Sequence, residues 1–261
     1  MNQPKPRLGV FKFASCDGCQ LTVLDCEDEL LTLADRVEIG YFLEAVSRPL
    51  EGEFDVALVE GSVSTPEQED YIHDIRRRSR FLITLGACAA HGGIQALRNF
   101  QPADRFLQIV YASPQYIASL EKSRSASDYV RVDLQLQGCP IDKTQLLTVL
   151  AKMLLGSAPR MPSHSLCLEC KRKNLVCVLV ARGEPCMGPV TTTGCGVLCP
   201  SYDRPCYSCF GPSFQPNTAS LAKQFEQLGF APQEIGRKFH AYYSQAPAFK
   251  EEGQRRVNGS A

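Results

Sequence analysis

Residues 8–19 read LGVFKFASCDGC, and residues 81–88 read FLITLGAC. In both stretches a short apolar run stops at small or turn-forming residues, and a cysteine follows at once. Runs of this length bounded by turn signals read as strands buried on both faces, the kind found inside parallel sheets. Three further runs extend the pattern: Val37–Tyr41, Phe54–Glu60 and the weaker, alternating Val130–Leu136. Helical spacing fills the intervals. After Cys19, the residues Val23, Cys26, Leu30 and Leu33 fall on one helical face. Thr65-Pro66-x-x-Glu69 has the form of a capped helix start with proline in the first turn. Asp142 is placed to cap a helix running to Leu155, and Gly156 to stop it. Strands alternating with helices at these intervals predict an α/β domain built on a doubly wound parallel sheet.

Beyond Ser157 the character changes. Pro159, Pro162, Pro185, Pro189, Pro200, Pro205 and Pro212 interrupt every segment, and neither helical nor strand periodicity survives between Cys167 and Gly211. Such a stretch cannot assemble an ordinary core, so something else must hold it. The expected organisation is a sheet domain over residues 1–156, a small irregular domain over 157–215, and a carboxyl-terminal segment over 216–261. In that last segment one helix is expected at Ala219–Leu228, with a polar, mobile tail from Lys250.

The 261 residues are 44% hydrophobic and 21% charged, a composition that supports a packed core. Lysine plus arginine equals aspartate plus glutamate at 28 each, so charge gives no reason to expect nucleic acid as a partner. No apolar stretch is long enough to span a bilayer, and no export signal precedes the first strand, so no direct membrane insertion and a cytoplasmic location are expected. Residues 1–155 carry 16 basic and 21 acidic side chains, net −5; the remaining 12 and 7 give +5. The basic part is the cysteine-dense part, as anionic thiolate-bound centres would favour.

Eight of the 13 cysteines fall between Cys167 and Cys209, and in a reducing compartment that density signals metal or redox chemistry rather than disulfides. Cys16, Cys19, Cys88 and Cys139 each follow a predicted strand, and ligands of open parallel sheets sit beyond the carboxyl ends of strands. Downstream, Cys167-x2-Cys170-x6-Cys177-x8-Cys186 is followed by Cys195-x3-Cys199-x6-Cys206-x2-Cys209. The spacing accommodates two tetrahedral zinc sites, two 4Fe–4S cubanes or interleaved ligation. The remaining cysteine, Cys26, lies on an apolar stripe and is read as core.

Cys16-Asp-Gly-Cys19-Gln, Val59-Glu60-Gly61-Ser62, Gly86-Ala-Cys88-Ala-Ala-His-Gly-Gly93 and Gly138-Cys139-Pro140 resemble the small subunit of nickel–iron hydrogenases. Over about residues 7–155 they also resemble the 20-kDa subunit of respiratory complex I. The segment Cys167–Pro212, including Cys186-Met-Gly-Pro-Val-Thr, resembles the hydrogenase small subunit alone. The resemblance implies a flavodoxin-like domain followed by an iron–sulfur domain, with three 4Fe–4S clusters. It implies a proximal cluster on Cys16, Cys19, Cys88 and Cys139, and a distal one on Cys167, Cys170, Cys177 and Cys186. The medial cluster would then sit on Cys195, Cys199, Cys206 and Cys209. Membrane-bound uptake hydrogenases differ: a histidine stands where Cys167 stands here, their medial cluster has three irons and lacks a counterpart of Cys199, and they carry a twin-arginine signal. These departures resemble the cytoplasmic group, which includes sulfhydrogenase delta subunits and NADP-linked relatives. The implied function is electron relay, with no catalytic residue in this chain. The implied partners are a nickel–iron large subunit and flavin/NAD(P)-binding and iron–sulfur subunits. Two other functions fit the residues: a small subunit feeding a heterodisulfide reductase, and a zinc-stabilised interaction module. Glu60 matches a family Glu-Gly motif and is read as an interface or helix-end hydrogen-bonding group. His91 is read as a neighbour of the cluster, and His164 as a loop residue.

Overall fold

The computed structural model describes residues 5–258. The side chains of Leu30 and Leu33 lie outside the described set, so the stripe expected through them is tested only at Val23 and Cys26, both buried.

Five strands form one parallel sheet in the order β2-β1-β3-β4-β5. They are β1 (Arg7–Lys12), β2 (Glu38–Phe42), β3 (Phe54–Glu60), β4 (Ser79–Leu85) and β5 (Leu134–Leu136). The central strands β1, β3 and β4 carry the near-continuous apolar runs, as burial on both faces requires. The fold is thus the α/β doubly wound class that the runs predict.

Chain order puts α1 (Gly18–Leu24) and α2 (Glu27–Ala34) between β1 and β2. The single helix expected here is broken at Glu27, whose φ of 39° is left-handed. Between β3 and β4 runs α3 (Pro66–Arg78), which the Thr65 hydroxyl caps by accepting the Gln68 amide. Gln68 returns its side-chain oxygen to the amides of Ser64 and Thr65 at 2.8 and 3.2 Å, so Gln68 rather than Glu69 completes the cap. Ile72 and Ile75 of α3 pack on Phe11, Phe13, Phe54, Val59 and Leu82 to form one core. Phe11 stacks on Tyr41 at 4.6 Å within it.

The link from β4 to β5 includes α4 (Gly86–His91) and α5 (Ala103–Val110). The strand expected from Val130 begins only at Leu134. Residues Ala126–Asp128 form a 3-10 turn, and Val130 and Val132 alternate because they pack on the core from a loop. Asp133 pins the start of β5: its carboxylate accepts the Leu82 amide at 2.9 Å and Arg76 at 2.6 Å. After β5, α6 (Lys143–Leu154) is capped by Asp142, which accepts the Gln145 amide at 2.9 Å.

The described residues fall into two compact units. One comprises residues 5–136 and 140–159; the other comprises 137–139 and 160–258. The carboxyl-terminal helices therefore belong with the cysteine-rich segment. That unit contains short helices α7 (Leu166–Arg172), α8 (Val178–Arg182) and α9 (Leu198–Ser201), then α10 (Thr218–Gln227), α11 (Pro232–Phe239) and α12 (Pro247–Asn258). The expected mobile tail is helical through Asn258. Phe225, Ile235, Phe239 and Phe249 are buried among the last three helices, and so is the carboxylate of Glu252. Arg255 and Arg256 hold that carboxylate at 3.0 and 2.7 Å, which lets a polar sequence form a packed helix. No helix among the described residues is long and apolar enough to cross a membrane.

Candidate functional site

The first site lies at the carboxyl edge of the sheet. Cys16 sits in the turn after β1, and Cys19 in the first turn of α1. The turn between them is shaped by Asp17, left-handed at φ 65°, whose amide donates to the Ser15 hydroxyl at 3.1 Å. Lys12 holds the Asp17 carboxylate at 2.7 Å. Cys19 is buried, and its amide donates to Glu60 Oε1 at 3.0 Å across from the end of β3. Burial pushes the Glu60 carboxyl above the usual carboxylate range, against the pull of the Cys19, Gln20 and Ser15 bonds. Glu60 is therefore a buried hydrogen-bond acceptor that orders the Cys19 turn. Cys88 lies in α4, directly beyond β4. Gly93 closes on it: a Cβ there would stand 2.5 Å from Cys88 Sγ. His91 is held below its ordinary pKa by burial.

Cys139 follows β5 in sequence, yet residues 137–139 belong to the second unit. Gly138, with φ 139°, donates its amide to Tyr243 Oη at 2.9 Å. Tyr243 is fully buried. No sequence signal marked Tyr243, which is 105 residues away from its partner.

The other eight thiols lie in the second unit, in an irregular scaffold tied by the bridges Ser165–Thr192 and Thr191–Pro212. Cys167 and Cys170 are three apart on α7, which puts them on one helix face. Cys177 caps α8. These three and Cys186 line one small cleft, with Leu166, Val178 and Pro189. A Cβ at Gly188 would stand 3.4 Å from Cys186 Sγ and 3.5 Å from Cys167 Sγ, so Gly188 lies in contact range of both sulfurs. Burial pushes the Cys167 thiol up to about 11, and the thiols of Cys186, Cys170 and Cys177 add to the shift. The Cys209 thiol is pushed up to about 12, by burial first and then by Cys195 and Cys199. Cys206 is raised by burial, and among its neighbouring thiols Cys186 acts more strongly than Cys209. The Cys206 amide donates to Cys186 Sγ at 3.2 Å, and the Ser208 amide to Cys206 Sγ at 3.4 Å. Cys206 thus stands beside both groups.

Among the described residues, no three side chains converge on a point that a single metal ion would occupy. The donor chemistry fits an iron–sulfur cluster: soft thiol sulfurs, backbone amides aimed at two of them, and a buried setting. Cys26 stands apart, buried, its thiol donating to the Thr22 carbonyl at 3.5 Å. His164 faces Glu169 at 3.6 Å.

Residues 16–153 match the family model of the NADH ubiquinone oxidoreductase 20 Kd subunit. The chain is 38% identical over 237 residues to sulfhydrogenase 2 subunit delta of Pyrococcus furiosus, covering 90% of this chain and 98% of that one. It is 31% identical to a vhu subunit of the F420-non-reducing hydrogenase of Methanocaldococcus jannaschii, covering 78% and 81%. Among solved structures, a chain of an NAD+-reducing NiFe-hydrogenase in the H2-reduced state superposes with a TM-score of 0.56 at 32% identity, covering 60% of this chain and 96% of that one. A chain of the Ni-Fe-Se hydrogenase from Desulfomicrobium baculatum superposes with a TM-score of 0.53 at 16% identity, over 81% and 96%, which shows the shared fold. The chain belongs to the family of hydrogenase small subunits, and through its sheet domain to that of the 20 Kd subunit of NADH ubiquinone oxidoreductase; it is a subunit of a hydrogenase, an oxidoreductase complex.

Proposed function

We propose that this chain is the electron-relay subunit of a cytoplasmic nickel–iron hydrogenase. It holds three 4Fe–4S clusters between a nickel–iron large subunit and partner subunits that bind flavin, NAD(P) and further iron–sulfur centres. The proximal cluster is held by Cys16, Cys19, Cys88 and Cys139. The distal cluster is held by Cys167, Cys170, Cys177 and Cys186, and the medial one by Cys195, Cys199, Cys206 and Cys209. The observation that carries this reading is the gathering of eight thiols in one irregular unit, with backbone amides donated to the sulfurs of Cys186 and Cys206.

Bound clusters supply one-electron redox steps. The chain's own residues supply the rest. Apolar side chains such as Leu166, Val178 and Val190 lower the local dielectric around the thiols. The amides of Cys206 and Ser208 stabilise negative charge on sulfur. Glu60 and Gly93 fix the backbone at Cys19 and Cys88. Among the described residues no cysteine is paired in a disulfide, which leaves the sulfurs available as ligands.

The test is metal analysis of the complex purified without oxygen. Three cubanes require about 12 irons in this chain, with nickel confined to the partner. Addition of hydrogen should bleach the visible absorbance of all three clusters. A colourless, zinc-filled chain would refute the relay.

A further inference from the structure

Tyr243 lies between α11 and α12, outside every cysteine motif, and is fully buried. Its two ends make different contacts within one unit. At the hydroxyl, Oη accepts the amide of Gly138, the residue before Cys139, at 2.9 Å. At the ring, the face closes on Gly211, two residues after Cys209. A Cβ built on Gly211 would meet Cδ1 and Cε1 of Tyr243 at 2.7 Å.

Both contacts are to constrained backbone. Gly138 has φ 139° and Gly211 φ 70°, conformations that side chains disfavour. Gly211 is further fixed by donating its amide to the Ser208 carbonyl at 3.0 Å and accepting the Thr192 amide at 2.9 Å. One rigid ring therefore spans from the loop carrying Cys139 to the turn carrying Cys206 and Cys209.

We propose that Tyr243 is a positioning residue that sets the spacing between Cys139 and Cys209, and so the gap an electron crosses between the clusters they hold. The inference rests on the proposed assignment of Cys139 to the proximal cluster and Cys209 to the medial one. Tyr243 acts through the Gly138 amide on one side and the Gly211 backbone on the other. Phenylalanine at this position keeps the ring against Gly211 and removes the hydroxyl that accepts the Gly138 amide. Alanine at Gly211 keeps the acceptor and displaces the ring.

The test compares Tyr243→Phe, Gly211→Ala and Cys139→Ser in the complex co-purified with its large subunit. The readouts are iron content, electron paramagnetic resonance during redox titration, and amide exchange of the peptide spanning 137–139. In Tyr243→Phe, iron content should be unchanged, while the proximal signal changes shape and midpoint and the distal signal does not move. Exchange at the Gly138 amide should rise about ten-fold or more, as expected when a buried donor loses its acceptor. In Gly211→Ala, the magnetic coupling between proximal and medial clusters should change. If Tyr243→Phe leaves the proximal signal as in wild type while Cys139→Ser alters it, the positioning role is wrong and the ligand assignment stands. If Cys139→Ser alters no cluster, the ligand assignment fails and the proposal falls with it. Loss of all three clusters together in Tyr243→Phe would also overturn it, because that outcome reports folding rather than position.

Discussion

Gly93→Ala should damage the proximal site without touching a ligand. A Cβ at this position would stand 2.5 Å from Cys88 Sγ, 2.8 Å from its Cα and 3.0 Å from its nitrogen. Two carbons settle at about 3.5–4.0 Å, so the approach to the Cys88 α-carbon alone must open by roughly 0.7 Å. Side-chain rotation cannot provide that opening, because two of the three crowded atoms are backbone of α4. Forcing a group into a packed site costs about 1–3 kcal/mol. The backbone adds its own penalty: φ 57° with ψ −147° is a region that glycine alone populates freely, and another residue there costs about 1–3 kcal/mol. The sum, about 2–6 kcal/mol, is a large part of the roughly 5–15 kcal/mol that holds a domain folded. Gly156→Ala provides the control, with φ 67° and nothing within 4 Å of the new carbon. It should cost about 1–2 kcal/mol, the penalty of a left-handed residue alone. The assay is thermal unfolding of the purified complex together with its iron content and proximal resonance signal. Gly93→Ala should unfold well below Gly156→Ala and lose or distort the proximal signal first. Equal unfolding temperatures with a full iron complement would show that Cys88 is not held by this contact.

Cys26→Ala should leave every cluster signal intact and cost on the order of 1 kcal/mol for one buried sulfur, read by unfolding and by resonance spectra. Loss of any one cluster would place Cys26 among the ligands. Asp133→Asn should cost about 1–3 kcal/mol at neutral pH, because a carboxylate accepting Leu82 and Arg76 is replaced by a neutral amide. Burial raises the Asp133 carboxyl, but those bonds outweigh it and hold it below its ordinary value. Its stabilisation is therefore present above the ordinary carboxylate pKa and fades as pH falls through the depressed native value. Unfolding curves of wild type and Asp133→Asn should accordingly converge in acid; a constant separation would refute this sign. Cys199→Pro should keep its fold, since the position lies in the first turn of α9, where a missing N–H is tolerated. In the proposed ligand set Cys195, Cys206 and Cys209 remain, and a three-iron signal should appear. Loss of an iron from the distal centre with the medial one left intact would show that the two sets interleave.

The sheet was legible because strands buried on both faces leave uninterrupted apolar runs, as in Phe54–Glu60, which β3 reproduces residue for residue. The cap of α3 was legible at Thr65; its partner is Gln68, the third helical position that the capping-box spacing specifies, one residue before the Glu69 expected. Val130 and Val132 misled because alternation also arises when a loop lays every second residue on a core. The helix α12 was hidden by Glu252, whose burial depends on two arginines that hydropathy counts as solvent-facing. Cysteine spacing made the candidate ligands visible. The groups that hold them were not, because Gly138 and Tyr243 meet only after the chain has folded back across 105 residues.

The hydrogen bond from the Cys206 amide to Cys186 Sγ has a consequence for how the relay accepts charge. In the proposed ligand sets the donor belongs to the medial centre and the acceptor to the distal one. Added negative charge on the distal sulfur draws the amide closer, and that amide is the backbone of a medial ligand. Clusters held as proposed would therefore be coupled through this shared bond as well as across space. The two midpoints are then properties of the pair, and a substitution beside either centre retunes both.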